Sequence, residues 1–240
     1  MNVSMGDTFN LGWKLISVLT GRAAPRLLNS YSDERRAAAK ALVDFDHKWS
    51  RVVGQRLEDD DASLPRFQRE FIANGEFTAG LTVCYEPSQL IGPSKWQSLA
   101  HGYPVGKRFH SAPVIRLADA KPMQLGHCIK ADNRWRIFAF ASKGDTGQKG
   151  GAINELCEFL SHAESSPIKR HTGVDEDVDA VIDVRAVFQH GFRDIEHAAM
   201  PALLRPAKGM YGLCDYEKVF CSNLSEDSEI FAMRKIDRTR

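Results

Sequence analysis

Two consecutive stretches of helical periodicity open the chain, and together they carry more apolar surface than they can cover. In the first, Phe9, Trp13 and Ile16 lie on one stripe and Leu11, Leu15 and Val18 on the next, which makes a wide apolar face. That width predicts a helix buried on several sides. Gly21 supplies a left-handed stop and Pro25 bars continuation. A second helix is expected from Ser30 to Ser32, either of which can cap it. Ala38, Leu42, Phe45, Trp49 and Val52 then recur at helical steps on one clean face. Helices of this kind bury their stripes only against a further layer, and the chain up to Gly54 does not provide one.

Downstream, the acidic run from Glu58 to Asp61 reads as a solvated loop. Ser63 and Pro65 open a short helix carrying Phe67, Phe71 and Ile72, which Gly75 ends. Phe77 to Tyr85 favours a strand, and Pro87 to Pro104, rich in Gly, Pro and Ser, reads as a connection between domains. Strand and helix alternate beyond it. The turn Asp132-Asn133 precedes a strand from Trp135 to Ala141. A Gly-rich loop from Gly144 to Gly151 leads into a helix with Ile153, Leu156, Cys157 and Leu160 inward. Val178 to Val187 is expected as a strand, Phe192 to Leu204 as a helix kinked or ended by Pro201, and Tyr211 to Cys221 as another strand. The order β-α-β-α-β implies an α/β layer fold.

Charge and cysteine usage narrow the function classes. Lys plus Arg is 32 against 31 for Asp plus Glu, a balance that calls for neither nucleic acid nor an anionic membrane. The five cysteines, Cys84, Cys128, Cys157, Cys214 and Cys221, form no CxxC pair, which argues against a disulfide scaffold and for a cytoplasmic setting. The apolar run from Phe9 to Leu19 is interrupted by Lys14 and preceded by Asp7, so neither a signal peptide nor a membrane span is expected. The loop from Gly144 to Lys149 has the wrong spacing for a phosphate loop and reads as plain surface. The histidines fit no metal spacing, and His127 and Cys128 are expected on opposite faces of a strand. No G-x-S-x-G is present, and no catalytic or metal-binding residue is assigned. The basic tail from Arg234 to Arg240 reads as a solvated end.

The opening segment carries the sharpest signal. Asp7, Asn10, Leu11, Trp13, Lys14 and Leu15 stand in the pattern Asp-x-x-Asn-Leu-x-Trp-Lys-Leu, directly after Met1-Asn2. Tyr31, Glu34, Arg35 and Arg36 follow as Tyr-x-x-Glu-Arg-Arg. Both resemble the second flavin-binding motif of class A flavoprotein monooxygenases and the helix after it. Arg108 to Val114 and Tyr211 to Tyr216 resemble the branch of phenol 2-monooxygenase and 3-hydroxybenzoate 4-monooxygenase.

The resemblance implies an α/β fold made of a helical remnant of an FAD-binding domain followed by a thioredoxin-like α/β domain. It divides the chain into the carboxy-terminal helical part of the monooxygenase domain (1–86), a linker (87–106) and a thioredoxin-like dimerisation domain (107–240). Without CxxC, thiol exchange is not implied. The family reduces FAD with NADPH and hydroxylates a phenolic substrate with O2. By position, Met1 and Asn2 are the cofactor-binding residues, their amides facing the N1 and C2 carbonyl edge of the flavin; the alternative is that they are merely a chain start. Asp7 suits the electropositive first turn, Trp13 the core, and Glu34 and Arg35 a helix-locking role. The G-x-G-x-x-G turn for the ADP half of FAD is not in these residues, nor are the substrate-activating groups. Family members continue beyond the position of Arg240 into a last strand containing Val-Arg-Pro-Asp, so that strand is expected to be missing. The chain is therefore read as a fragment inactive alone, with exposed apolar helical surface and a possible homodimer. The rivals are a non-catalytic thioredoxin-like interaction module and a gene-model or pseudogene fragment.

Overall fold

The computed structural model describes residues 2–56, 72, 74–225 and 229–239. The expected loop at Glu58 to Asp61 and the helix opened by Ser63 and Pro65 lie outside the described residues, as does Met1. The chain divides into two compact units, residues 1–94 with 105–108, and residues 95–104 with 109–240.

The first unit is built on α1 (Asn2–Leu19) and α2 (Asn29–Arg56), joined through a 3-10 turn at Pro25–Leu28. Gly21 at φ +73° provides the left-handed stop, its N–H donating to the Val18 carbonyl at 3.0 Å. The face of α1 that is buried is the polar one. Asn10, Lys14 and Ser17 are buried, while Phe9 is 66% exposed and Ile16 and Leu19 also face outward. Within this unit the apolar stripes are not buried, in keeping with the exposed apolar surface expected of these helices, and Trp13 is half-buried rather than core. The cause is the partner surface: α2 presents the buried charges Glu34 and Arg35 to the unit, and buried charge requires polar partners. Asp7 sits in the second turn, because α1 already starts at Asn2. Ser30 does not cap α2 from outside; it lies inside the helix and its hydroxyl donates to the Leu27 carbonyl at 2.7 Å. On the expected α2 face, Phe45 stacks on Trp49 and lies 4.5 Å from the Phe77 ring, but Leu42 is exposed.

Gly75 opens a four-residue helical turn, α3 (Gly75–Thr78). Phe77 to Tyr85 is not a strand: Phe77 is helical, and the segment makes a single antiparallel bridge, Cys84 to Lys107. That bridge depends on Gly106, which lies at φ +86° and where a Cβ would collide with the Tyr85 carbonyl. The close approach lets the Tyr85 N–H donate to the Gly106 carbonyl at 3.0 Å, fixing where Tyr85 stands.

The second unit is a mixed sheet of β1 (Pro113–Arg116), β2 (Lys121–Gln124), β3 (Trp135–Phe140), β4 (Ile182–Phe188) and β7 (Val219–Ser222) in the order β2-β1-β7-β4-β3. β3, β4 and β7 run parallel, while β1 is antiparallel to both β7 and β2. Between β3 and β4 come α4 (Ala152–His162) and α5 (Pro167–His171). A small separate ribbon, β5 (Ala207–Lys208) with β6 (Leu213–Cys214), precedes β7, and α6 (Ile230–Met233) follows it. Every residue of β4 is buried, as expected of a central parallel strand. Ile182, Val184, Ala186 and Phe188 pack with Ile153, Cys157 and Leu160 of α4, and Leu156 lies against the same cluster. On the other face Val187 packs with Val114, Phe220 and Phe231.

Several expectations fail in this unit. Phe192 to Leu204 forms no α-helix but two 3-10 turns, His197–Ala199 and Ala202–Leu204, with Pro201 between them. The expected strand from Tyr211 to Cys221 is two, β6 and β7. The strand at Val178 to Val187 begins only at Ile182. His127 and Cys128 lie in a 3-10 turn, Leu125–Cys128, not a strand. The Gly-rich loop is more than plain surface: buried Asp145 accepts the N–H groups of Gly147 and Ile153, both at 2.8 Å, and so holds the start of α4. The basic tail is packed as well. Ile236 bridges Ala100 and joins the second core cluster, and the Arg238 carbonyl accepts the Lys143 N–H at 2.9 Å; an apolar residue within the basic run anchors it.

Candidate functional site

In the first unit, the residues of the two opening motifs converge on one another. Asp7, Asn10 and Lys14 are spaced to share a face of α1, and that face meets Glu34 and Arg35 of α2. The Lys14 Nζ lies 2.7 Å from Glu34 Oε2 and donates to Asn10 Oδ1 at 2.8 Å. Asn10 Nδ2 donates to the same Glu34 oxygen at 2.7 Å. Arg35 forms the second half of the bracket. Its Nε reaches Asp7 Oδ1 at 2.5 Å, its Nη1 the Tyr85 hydroxyl at 3.0 Å, and its Nη2 the Val3 carbonyl at 3.3 Å. Gly6 leaves room for this, since a Cβ there would come within 3.1 Å of Nη2. Burial alone would lower the Arg35 guanidinium, but hydrogen bonds to Asp7 and Tyr85 outweigh it and hold the group above its ordinary value.

The bracket fixes the amino end of α1. Of the two expected cofactor-binding residues, Met1 lies outside the described residues and Asn2 is the first residue of the helix. The first turn carries no acidic side chain, and the next carboxylate along the helix, Asp7, is matched by Arg35. The positive end of the helix dipole is therefore not offset from within its own first turn. A helix end of this kind favours an anionic group in front of it. Sequence reasoning placed Glu34 and Arg35 in a locking role but missed Tyr85, which no periodicity or spacing connects to α1.

A second polar cluster lies in the other unit and was not anticipated. Buried Lys218 contacts Asp179, Asp183 at 2.6 Å and Asp215 at 3.2 Å. Asp179 also receives Lys208 at 2.9 Å and Arg134 at 3.2 Å, and Asp183 receives Arg185 at 2.8 Å. Burial would raise Asp179, but Lys218 and Lys208 outweigh it and hold the carboxyl below its usual range. Asp215 is held at about 2, against the pull of burial, by the Glu217 N–H and by Lys218 and Lys208. Asp179 and Asp215 are held in the charged form, which suits a structural junction rather than proton transfer near neutrality. Burial pushes the Cys157 and Cys221 thiols up to about 12, so neither supplies a thiolate. No group of three or more potential metal ligands occurs among the described residues.

Family comparison accounts for both units. Residues 83–240 match the family described as phenol hydroxylase, C-terminal dimerisation domain. The chain belongs to that family. Residues 1–46, which hold the whole α1–α2 bracket except Tyr85, match an FAD binding domain. The 3-hydroxybenzoate 4-monooxygenase of Comamonas testosteroni is 46% identical over 99% of this chain and 38% of its own length. An FAD-dependent monooxygenase of Aspergillus terreus is 33% identical over 92% of this chain and 37% of its own length. The chain thus spans under two fifths of these relatives. Among solved structures, BexE, from studies of oxidation during BE-7585A biosynthesis, aligns over 77% of this chain and 32% of its own, at 20% identity and a TM-score of 0.47. In this member of the dimerisation-domain family, no helix among the described residues is long and apolar enough to cross a membrane.

Proposed function

We propose that this chain is the carboxy-terminal part of an FAD-dependent monooxygenase that hydroxylates a phenolic ring with NADPH and O2, and that it does not catalyse the reaction alone. The observation that carries the reading is the α1–α2 bracket. Two separate motifs, one on each helix, meet at one helix whose first turn carries no acid. In the whole protein the backbone amides of Met1 and Asn2 would hold the flavin ring of FAD, which when bound would supply the redox and oxygen-inserting chemistry. Lys14, Glu34, Asp7, Arg35 and Tyr85 are positioning residues for that helix end.

Residues 1–86 are the last helical part of the FAD domain, 87–106 the linker, and 107–240 a thioredoxin-like domain that pairs two copies. The sheet supports one further piece of this reading. β3 is its end strand, yet carries apolar side chains toward both clusters, Ile137 and Ala139 on one face, Phe138 and Phe140 on the other. Such a strand suits an interior position, as if the family's last strand pairs along it. Five free cysteines support a cytoplasmic setting. A second reading, a dimerisation module without catalysis, draws support from the second unit's own two core clusters.

Two measurements test the proposal. Translation of the DNA upstream of Met1 should show the Gly-Gln-Gly turn that the family resemblance implies directly before it, and G-x-G-x-x-G far upstream; finding neither favours the module. The purified 240-residue chain should bind no stoichiometric flavin and oxidise no NADPH in the presence of 3-hydroxybenzoate. A yellow protein with one flavin per chain would defeat the claim that it is incomplete.

A further inference from the structure

The ribbon β5–β6 carries a cluster of exposed apolar side chains in the second unit. Ala207 pairs with Cys214 and Lys208 with Leu213, and the Gly212 N–H closes the turn onto the Gly209 carbonyl at 3.1 Å. Gly209 and Gly212 lie at φ +65° and +60°, with open space where their Cβ atoms would be. Between them Met210 is 88% exposed and Tyr211 79%, and Leu213 and Tyr216 also face outward. We propose that this ribbon tip is the contact through which two copies of this chain pair, an inference that rests on the dimer reading above.

Three observations favour a second copy as the occupant. First, the stem is rigid. Lys208 Nζ is held by Asp179 at 2.9 Å and Asp215 at 3.3 Å, and the Gly209 N–H by Asp177 Oδ1 at 2.9 Å. A preorganised apolar tip loses little freedom on binding. Second, Lys208 is neutralised inside the protomer, so two tips meet without like-charge repulsion. The tip is also self-complementary: a methionine beside tyrosine rings can pair with the same set around a two-fold axis, thioether against ring. Third, the four side chains offer on the order of 600 Å² per protomer, most of the about 800 Å² per partner of a standard interface. The ribbon lies within the segment that matches a dimerisation domain.

The test is sedimentation of the 240-residue chain beside the double variant Met210→Asp/Tyr211→Asp and the control Phe9→Ser on α1. The parent and the control should sediment as dimers. The double variant should sediment as a monomer, with its dissociation constant raised at least about 100-fold and an unchanged near-ultraviolet dichroism spectrum. A parent that is monomeric at every concentration defeats the dimer reading itself. A parent dimer whose constant the double variant leaves unchanged overturns the ribbon contact alone. The unmodified chain gives a second readout free of folding effects. Peroxide oxidation of Met210 should slow several-fold between dilute and concentrated protein, while Met5 on α1 should not change. Oxidation of Met210 independent of concentration, in a protein shown to dimerise, also overturns the contact.

Discussion

The two units treat apolar and charged side chains in opposite ways. The first turns Lys14, Asn10 and Ser17 inward and leaves Phe9, Ile16 and Leu19 outside. The second encloses apolar residues in two clusters on either face of β4 and gathers its charges where Asp179, Asp183 and Lys218 meet. A unit with its own apolar core draws its stability from within. A helix pair held by ions, with its stripes outside, has the surface chemistry of one layer of something larger. The motif in α1 meets α2 through its polar residues rather than through its apolar stripes.

This contrast is sharpest for one exchange made in both units. Phe188→Ala removes a fully buried ring of β4 and should cost about 4 kcal/mol in chemical denaturation. Phe9→Ala should cost under about 0.5 kcal/mol. Equal costs would erase the distinction. Next in size, Lys14→Met leaves Glu34 buried without its cation and should destabilise the first unit by about 3 kcal/mol. The double exchange Lys14→Met/Glu34→Leu should recover most of that loss, because an apolar pair of similar volume needs no ionic partner. If the double variant is as unstable as the single one, the bracket does more than neutralise buried charge.

The smallest effect is one of pH. With the Asp215 carboxyl held at about 2 against an ordinary 3.8, its contribution is complete above about pH 5 and is lost as pH falls through about 2, about 2 kcal/mol in all. Arg35, raised instead, adds no acid step, since its contribution would be lost only on strong alkalisation. Denaturation of the parent and of Asp215→Asn at pH 6 and pH 3 should show the parent losing about 1 kcal/mol more than the variant. Parallel losses would place the acid sensitivity elsewhere.

What was legible in the sequence follows the same division. β3 and the inward residues of α4 could be read directly, because a dense apolar run and a 3.6-residue period report burial when the core is local. The same period in α1 misled, because its buried face was decided by charges on α2. β1 and β2 passed unnoticed: each is four residues long, and β2 holds Pro122, so they exist only through pairing with distant strands. Phe192 to Leu204 had helical composition, but Pro201 and the packing of Leu203 and Leu204 into the first cluster resolve it into 3-10 turns. For the site, the resemblance carried Asp7, Asn10, Lys14, Glu34 and Arg35 together; Tyr85 reaches them only through the turn that Gly106 permits.

The seam between Leu99 to Gly102 and Arg234 to Asp237 has a consequence for how the second unit can be moved between proteins. The Asp237 N–H donates to the Leu99 carbonyl at 2.7 Å and the Gly102 N–H to the Arg234 carbonyl at 2.8 Å. The first and last stretches of the second unit are thus stitched side by side. Such an arrangement lets a domain be grafted into a host loop, or cut and rejoined in a permuted order, without prising its sheet apart.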